Sequence, residues 1–446
     1  MKEGLQYARE DDMAGRELQK EEMERKIYRH KRRVRNQIIS YIVITIILAG
    51  IVAGGVIGVQ KIMSVINDKR QAQELQKQLE DLSETQGEQQ SVETPVETPD
   101  PEPAEETDWL EMMVEETIGG MSLEDKAAGL FFITPEALTG METVTQAGDT
   151  TRDKLGGQPV GGLVYSSKNF IDETQLKEML QNTKSYSKSA LFLAVEEEGG
   201  SLSPVAEKGL AENVGKMADI GAQGDASAAQ SAGSAIGSYL AGYGFNVNLA
   251  PITDVAAEGN TLIGERAFGF DQGQVSSMVS AFVEGSKSTG VSTCLKYFPG
   301  LGDVEGNAGE GMITSDKAIE AFMERDFPAY QAGISAGADF VMVSHLSLPN
   351  VTGDNTPSSL SGKMITEILR QQLGFTGVII TDAMNVAAIT DYYTAGEAAV
   401  KALQAGADMI FMPEEFTAAW EGVLEAVQNG SLTEAQINES LGRIFR

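Results

Sequence analysis

Eight short apolar runs, each followed by a stretch of helical periodicity, constrain the fold of this chain more than any other feature. Continuous apolar strands that alternate with helices are typical of a parallel sheet covered by helices. Eight such units in about 340 residues predict an α/β fold of the (β/α)8 TIM-type barrel class, with an open doubly wound sheet as the alternative. The runs are 129–133, 162–166, 191–195, 245–250, 292–297, 339–344, 377–381 and 408–412.

The charged and metal-binding side chains restrict the chemistry of the chain. The 446 residues carry a formal net charge of −31, which argues against nucleic-acid binding because phosphates require clustered Lys and Arg. The single cysteine, Cys294, excludes an internal disulfide and a multi-cysteine metal site. Only two histidines are present, His30 and His345, which disfavours Ser-His-Asp and His-zinc chemistry. Neither a metal ion nor an organic cofactor is expected.

The segment 38–59 is predicted to cross a membrane. It has 22 residues without a charge, and at about 1.5 Å per residue such a helix spans a hydrocarbon core of about 30 Å. Lys and Arg are concentrated at 25–35, so the positive-inside rule puts the N-terminus in the cytoplasm and the C-terminal part outside the cell. A single-pass cell-membrane protein is therefore expected, with a cleaved signal peptide as the alternative.

The pattern divides the chain into four parts: a basic cytoplasmic tail at 1–37, the transmembrane helix at 38–59, a stalk and linker at 60–107, and the barrel at 108–446. Within the linker, residues 84–107 include eight acids and four prolines but no Lys or Arg. Such a composition cannot bury enough apolar surface to fold, so a disordered acidic spacer is predicted.

Polar side chains follow several predicted strands at their C-terminal ends. In a barrel these ends share one face, where catalytic groups lie. Carboxylates, cations and a histidine on that face favour a ligand rich in hydroxyl groups and offer a carboxylate for covalent catalysis. These residues are Glu196, Asp254, Arg266, Lys296, His345 and Asp382.

Several ordered motifs resemble glycoside hydrolase family 3, and specifically its single-domain β-N-acetylhexosaminidase branch. AVEEEGG is similar to the family's VDQEGG, KYFPGLGD to KHFPGHGD, and IITDAMN lies in a stretch like the family's nucleophile segment. The resemblance implies a barrel and a retaining mechanism, in which an Asp forms a glycosyl-enzyme that water then resolves. The similar stretches are 121–133, 160–169, 194–200, 248–255, 263–269, 296–303, 359–389 and 405–413.

The resemblance also implies roles for individual residues. Asp382 matches the nucleophile, and Glu196, Arg266 and Lys296 match sugar-binding positions, although the family usually has Asp where this chain has Glu196. Arg and Lys supply fixed donors to sugar hydroxyls. Tyr297 stands beside them at a position where the family has histidine.

Two of these roles have a structural alternative. Arg266 could instead form a salt bridge to Glu265 or Asp254. His345 follows the sixth run, where the family has a similar histidine, and either a role in the cleft or a structural hydrogen bond fits that position.

The Asp-His acid/base pair of the family is not retained. The aspartate and histidine of this pair correspond to Asn307 and Gly309 in this chain. Two further family histidines, those of KHF and GHG, are replaced by Tyr297 and Leu301. General acid/base catalysis contributes about 10²- to 10⁴-fold, so another group would have to supply the proton. Glu305 and Glu310 lie in the same glycine-rich loop and are the candidate acids if desolvation raises their pKa values. The alternative is that both are solvated loop residues.

Two functions are consistent with these residues. The first is a membrane-anchored extracellular glycoside hydrolase that removes β-linked N-acetylglucosamine from peptidoglycan or its fragments, with Asp382 as nucleophile. The second is a catalytically degenerate barrel that binds cell-wall glycan or a protein partner. Loss of the histidines favours the second function, whereas retention of Asp382 favours the first.

Overall fold

The computed structural model describes residues 109–446 of the chain. Its eight strands are all parallel and follow the order β7-β6-β5-β4-β3-β2-β1-β8. A parallel bridge between Ile380 and Met409 joins the two ends of this order and closes the sheet. The predicted (β/α)8 TIM-type barrel is confirmed. The strands are β1 (Phe131–Ile133), β2 (Gly162–Tyr165), β3 (Phe192–Val195), β4 (Val247–Asn248), β5 (Ser292–Phe298), β6 (Phe340–Val343), β7 (Val378–Thr381) and β8 (Ile410–Phe411).

Helices cover the outside of the barrel. They are α1 (Trp109–Gly120), α2 (Leu123–Gly129), α3 (Pro135–Thr139), α4 (Asp149–Gly157), α5 (Glu173–Tyr186), α6 (Pro204–Glu207), α7 (Met217–Gly221), α8 (Ala226–Tyr243), α9 (Gln272–Lys287), α10 (Ile319–Arg325), α11 (Phe327–Ser335), α12 (Pro349–Thr352), the π-helical α13 (Lys363–Gln372), α14 (Ala387–Thr390), α15 (Ala395–Ala405), α16 (Phe416–Gln428) and α17 (Glu434–Phe445). Short 3-10 turns occur at Ser167–Asn169, Ala308–Glu310 and Ser358–Leu360.

Local sequence explains where several helices begin. The side chain of Ser122 accepts the backbone N–H of Asp125 at the start of α2, and Asp172 caps α5 in the same way. Thr394 and Glu397 form a reciprocal capping box at the start of α15. Each cap satisfies backbone donors that have no partner within the helix.

The apolar runs form the buried strands. Every residue of β1, β2, β6 and β7 is buried, as expected for a parallel sheet with helices on one face and packed side chains on the other. Asp408, just before β8, is a buried carboxylate that accepts from Arg443 at 2.8 Å and from Ser440 at 3.0 Å. It ties α17 to the barrel at the end opposite the predicted site.

The predicted tail at 1–37, the membrane segment at 38–59 and the linker at 60–107 lie outside the described residues. Across 109–446, we find no helix that combines the length and apolar character needed to cross a bilayer.

Candidate active site

The loop after β3 directs three consecutive glutamates to three different environments. The side chain of Glu196 is 33% exposed, whereas Glu197 and Glu198 are buried. Asn248 of β4 fixes the loop through two hydrogen bonds with the backbone of Glu197, at 3.0 and 2.9 Å. The Glu197 carboxylate accepts two backbone N–H groups of α6 and the hydroxyl of Tyr239, so it supports the loop.

Glu198 is the shared partner of the two predicted sugar-binding cations. Lys296 of β5 is fully buried, and its Nζ lies 2.5 Å from Glu198 Oε1 and 2.8 Å from Glu196 Oε1. Arg266 donates to the same carboxylate twice, from Nε to Oε2 at 2.8 Å and from Nη2 to Oε1 at 2.7 Å. Bidentate, charge-assisted hydrogen bonds of this kind fix the orientation of the guanidinium group and are stronger than bonds between neutral groups.

The charges in this network keep each other ionised. Burial by itself would raise the pKa of Glu198, but Lys296 and Arg266 outweigh it and lower the pKa below its usual value. Burial would likewise lower the pKa of Lys296, but Glu196 and Glu198 raise it well above its usual value. The network therefore holds Glu198, Lys296 and Arg266 in their charged forms at neutral pH.

Tyr297 covers both cations. Lys296 Nζ and Arg266 Cζ lie 5.2 and 5.7 Å from the centre of its ring, within the range of a cation–π contact. Its hydroxyl accepts a hydrogen bond from Arg266 Nη2 at 3.0 Å. The proposed salt bridge between Arg266 and Glu265 is not formed, because Glu265 pairs with Lys216 at 2.7 Å.

Asp382 follows β7 directly, on the same face of the barrel. Its backbone N–H donates to Val343 of β6 at 2.8 Å, and its Oδ1 accepts the N–H of Ala383 at 2.8 Å. Burial raises the pKa of Asp382, while His345, the Ala383 amide and Lys296 act in the opposite direction. Asp382 thus lies in the same cleft as the cation network, which consists of Lys296, Arg266, Glu196 and Glu198.

His345 supports the loop that carries Asp382. Its Nε2 lies 2.9 Å from the carbonyl oxygen of Ala383, and its Nδ1 lies 2.7 Å from the hydroxyl of Ser359. A carbonyl can only accept, so Nε2 carries the proton and Nδ1 accepts from the serine. Burial lowers the pKa of His345, which favours this neutral form. Both ring nitrogens of His345 are therefore engaged within the protein.

The two candidate acids, Glu305 and Glu310, are both exposed and have different neighbours. Asn260 tethers the start of the loop by donating to the carbonyls of residues 301, 302 and 304 at 3.1, 3.0 and 3.3 Å. Glu305 lines a cavity of about 310 Å³ together with residues 257–262. The turn Ala308–Glu310 packs against α14, which closely follows Asp382. Neither carboxylate is desolvated in this structure.

The sequence interpretation missed Glu198. A signal was nevertheless present, because two cations buried in one site require a buried counter-charge and Glu198 follows Glu196 by two positions. Within residues 109–446, no group of three or more His, Cys, Asp or Glu side chains is arranged to hold a metal ion.

Comparison with known sequences relates the barrel to glycosidases. Residues 122–446 match the family described as Glycosyl hydrolase family 3 N terminal domain. The beta-hexosaminidase of Stenotrophomonas maltophilia (strain R551-3) is 31% identical over 303 residues, which are 66% of this chain and 87% of that protein. Beta-hexosaminidase A of Pseudoalteromonas piscicida is 30% identical over 317 residues, which are 64% of this chain and 53% of that protein.

Solved structures give the same relationship. A glycoside hydrolase family 3 β-N-acetylglucosaminidase from Paenibacillus sp. str. FPU-7 matches with a TM-score of 0.66 at 31% identity, over 73% of this chain and 61% of that one. The β-N-acetylhexosaminidase of Beutenbergia cavernae matches with a TM-score of 0.65 at 27% identity, over 73% and 97%. The chain therefore spans about half the length of the Pseudoalteromonas protein and 61% of the Paenibacillus one.

Proposed function

This chain belongs to glycoside hydrolase family 3, and we propose that it hydrolyses glycosides with a terminal β-linked N-acetylglucosamine by a retaining mechanism. The observation that carries the proposal is the carboxylate of Asp382 at the carboxyl end of β7, in the same cleft as Lys296 and Glu196. The names of the hexosaminidase relatives support this class of sugar.

Asp382 is the proposed nucleophile. Its carboxylate attacks the anomeric carbon, the bond from that carbon to the leaving oxygen breaks, and a glycosyl ester forms. Burial raises the pKa of Asp382, whereas Lys296 and the N–H of Ala383 favour the ionised form that attack requires. Water then resolves the ester and restores the original stereochemistry.

The spare hydrogen-bonding capacity of the cation network suits a neutral sugar. Lys296 uses two of its three N–H donors within the protein, and Arg266 uses four of its five. One donor remains on each, beside the partly exposed Glu196. Because two carboxylates offset the two cations, no excess positive charge remains to select an anionic sugar.

Glu310 is the proposed acid in place of the absent histidine. Its turn packs against α14, which closely follows Asp382 in the chain, whereas Glu305 lines the cavity next to residues 257–262. Closure of the glycine-rich loop over a bound sugar would bring Glu310 to the leaving oxygen, where it would donate the proton.

A second function is a binding protein without turnover. It is favoured by the replacement of the family's acid/base residues by Asn307 and Gly309 and by the exposure of both Glu305 and Glu310. Such a protein would retain the cation network and bind glycan without cleaving it.

The test compares two leaving groups. We expect the purified full-length chain to release dinitrophenol from its β-N-acetylglucosaminide, because that phenol leaves without protonation. Asp382→Asn should abolish release, whereas Asp391→Asn, the same change at an exposed position, should leave it intact. The second substrate is a natural disaccharide, whose sugar leaving group requires a proton. Binding of N-acetylglucosamine without release of dinitrophenol and without cleavage of the disaccharide would favour the binding protein and contradict the hydrolase.

We further propose that segment 38–59 anchors the chain in the cell membrane, with the barrel outside the cell and peptidoglycan or its fragments as substrate. The uncharged run and the preceding Lys and Arg support this orientation. Protease added to intact cells should digest the barrel of the full-length chain, and deletion of 38–59 should release it from the membrane fraction. Protection of the barrel in intact cells would contradict the orientation.

A further inference from the structure

Two buried carboxyl groups outside the proposed mechanism lie beneath the segment that carries Tyr297. Asp254 follows β4 and Asp326 separates α10 from α11, and their exposed fractions are 0% and 2%. Asp254 Oδ1 accepts the backbone N–H of Tyr297 and the hydroxyl of Tyr330, each at 3.2 Å. Asp326 Oδ1 accepts the N–H of Val255 at 3.4 Å.

The two carboxyl groups support the segment 297–301 at two points. Asp254 holds its beginning through Tyr297. Gly300 has a φ of +137°, and a Cβ at this position would lie 2.8 Å from the carboxyl carbon of Asp326. The backbone of the segment therefore packs directly on Asp326. Because the segment continues from β5, its position determines where Lys296 and Tyr297 meet the sugar site.

The surrounding charges do not fully compensate two carboxylates. Arg266 acts on Asp254, and Arg325 and Lys317 act on Asp326. Both Arg325 and Lys317 also form ion pairs with Asp303, which competes for their charge. The remaining titratable neighbours are Tyr330 and Cys294, which act on one another.

One oxygen of Asp254 lacks a hydrogen-bond donor. This atom, Oδ2, is buried and has no partner within residues 109–446. A negative charge on a buried, unpaired oxygen is costly, and a second buried carboxylate whose charge acts on it adds to that cost. Burial raises the pKa of Asp254 to about 6. Burial and the charge of Asp254 raise the pKa of Asp326 to about 7.

We propose that Asp254 and Asp326 are positioning residues, and that the pair retains one proton at neutral pH and thereby holds the segment 297–301 beneath the sugar-binding cations. With the proton in place, one carboxyl is neutral and both support the segment through the contacts of Tyr297 and Gly300. Loss of the proton leaves two buried carboxylates that repel each other, so the segment loosens. Lys296 and Tyr297 then lose their fixed position. The consequence for sugar binding rests on the proposed function, whereas the proton-dependent order of the segment does not.

The direction of the pH effect follows from the raised pKa values. Protonation of Asp254 and Asp326 is favoured in the folded chain, where their pKa values are about 6 and 7 instead of 3.8. Their contribution to stability is complete below about pH 4 and is lost as pH rises through 6 and 7. The segment should accordingly be ordered at pH 5.5 and loosened at pH 8.

Hydrogen exchange of the full-length chain tests the pair directly. With rates corrected for intrinsic exchange, we expect protection of the amides of 297–301 to fall about tenfold between pH 5.5 and 8, a change equivalent to one pKa unit. Asp326→Asn should remove this dependence. Asp316→Asn, at an exposed position in the same connection, should retain it. Protection that does not vary with pH, or varies equally in Asp326→Asn, would overturn the proposal.

A second variant covers the case in which Asp326→Asn does not fold. Tyr330→Phe removes a hydroxyl that lowers the pKa of Asp254, so the midpoint of the pH dependence should move upward. An unchanged midpoint would contradict the role of Asp254.

Sugar binding separates this proposal from the proposed function. The affinity of the Asp382→Asn chain for N-acetylglucosamine should fall over the same pH range as the protection. A pH-dependent segment without sugar binding at any pH would leave the proton pair standing and refute the hydrolase. Sugar binding by a chain whose segment 297–301 has the same protection at every pH would leave the hydrolase standing and refute the proton pair.

Discussion

At the scale of single residues, environment assigns different roles to chemically identical side chains. Glu196, Glu197 and Glu198 are consecutive, yet the first is partly exposed, the second supports a loop and the third is buried between two cations. Removing one partner of a buried ion pair is strongly destabilising because it leaves an uncompensated charge. Glu198 therefore has the largest expected effect on stability of the three.

Replacement of Glu198 tests that difference. Glu198→Gln leaves Arg266 and Lys296 without their shared counter-charge, so the free energy of unfolding should fall by about 3 kcal/mol or more. Glu196 also pairs with Lys296 but lies at the cleft surface. Glu196→Gln should therefore lower the free energy of unfolding by less than about 1 kcal/mol. Chemical denaturation of both variants at pH 7 measures these values. Equal losses would show that Glu198 is not the essential counter-ion.

At the scale of elements, the outer helices depend on close backbone contact. α15 and α16 pack together at Gly396 and Gly422, where a Cβ on Gly422 would lie 2.7 Å from the Cα of Gly396. In α17, a Cβ on Gly442 would meet only the guanidinium of Arg446, at 3.9 and 4.0 Å. The same substitution should therefore have opposite effects in the two helices.

Alanine at these two glycines is the corresponding test. Gly422→Ala forces α15 and α16 apart and should lower the free energy of unfolding by about 1–3 kcal/mol. Gly442→Ala should be neutral or stabilising by up to about 1 kcal/mol, since alanine favours the helix over glycine. Thermal denaturation distinguishes the two outcomes. A loss as large in Gly442→Ala as in Gly422→Ala would contradict this explanation.

At the scale of the whole molecule, the proposed reaction would require a loop from one βα unit of the barrel to approach a carboxylate from another. The loop after β5 carries Glu305 and Glu310, whereas Asp382 follows β7. The contact between Ala308–Glu310 and α14 brings these units together. Only Glu310 is therefore expected to donate a proton to a leaving group held against Asp382.

Azide rescue distinguishes the two glutamates. Glu310→Gln should lower turnover of natural disaccharides by about 10²- to 10⁴-fold. Azide should restore turnover of the dinitrophenyl glycoside in this variant and yield the β-glycosyl azide, because an anion needs no general base to attack the glycosyl-enzyme. Glu305→Gln, a matched change in the same loop, should behave like the parent chain. Rescue of Glu305→Gln but not of Glu310→Gln would assign the role of proton donor to Glu305.

The sequence by itself determined the barrel and the candidate nucleophile. All eight apolar runs contain strands, because a strand buried on both faces leaves a continuous local signal. The bounds of a strand within its run were less visible. The strand β4 covers only Val247–Asn248 of the run 245–250, although Leu249 donates to Val195 and Ala250 accepts from Cys294 on the neighbouring strands, each at 2.9 Å. Asp382 was recognisable because its motif is contiguous in the chain and lies at a strand end.

Only the tertiary structure decided which groups meet. Glu198 and Arg266 are 68 residues apart, and His345 and Ala383 are 38 apart. The separation of Glu305 from Glu310 and the pairing of Asp254 with Asp326 likewise depend on packing between barrel units. Burial and long-range contact set the charge, protonation and partner of each side chain, and neither is encoded in local sequence. The residue types and the candidate nucleophile were thus visible in the sequence, whereas the division of the surrounding side chains into counter-ions and supports arose from the closed barrel.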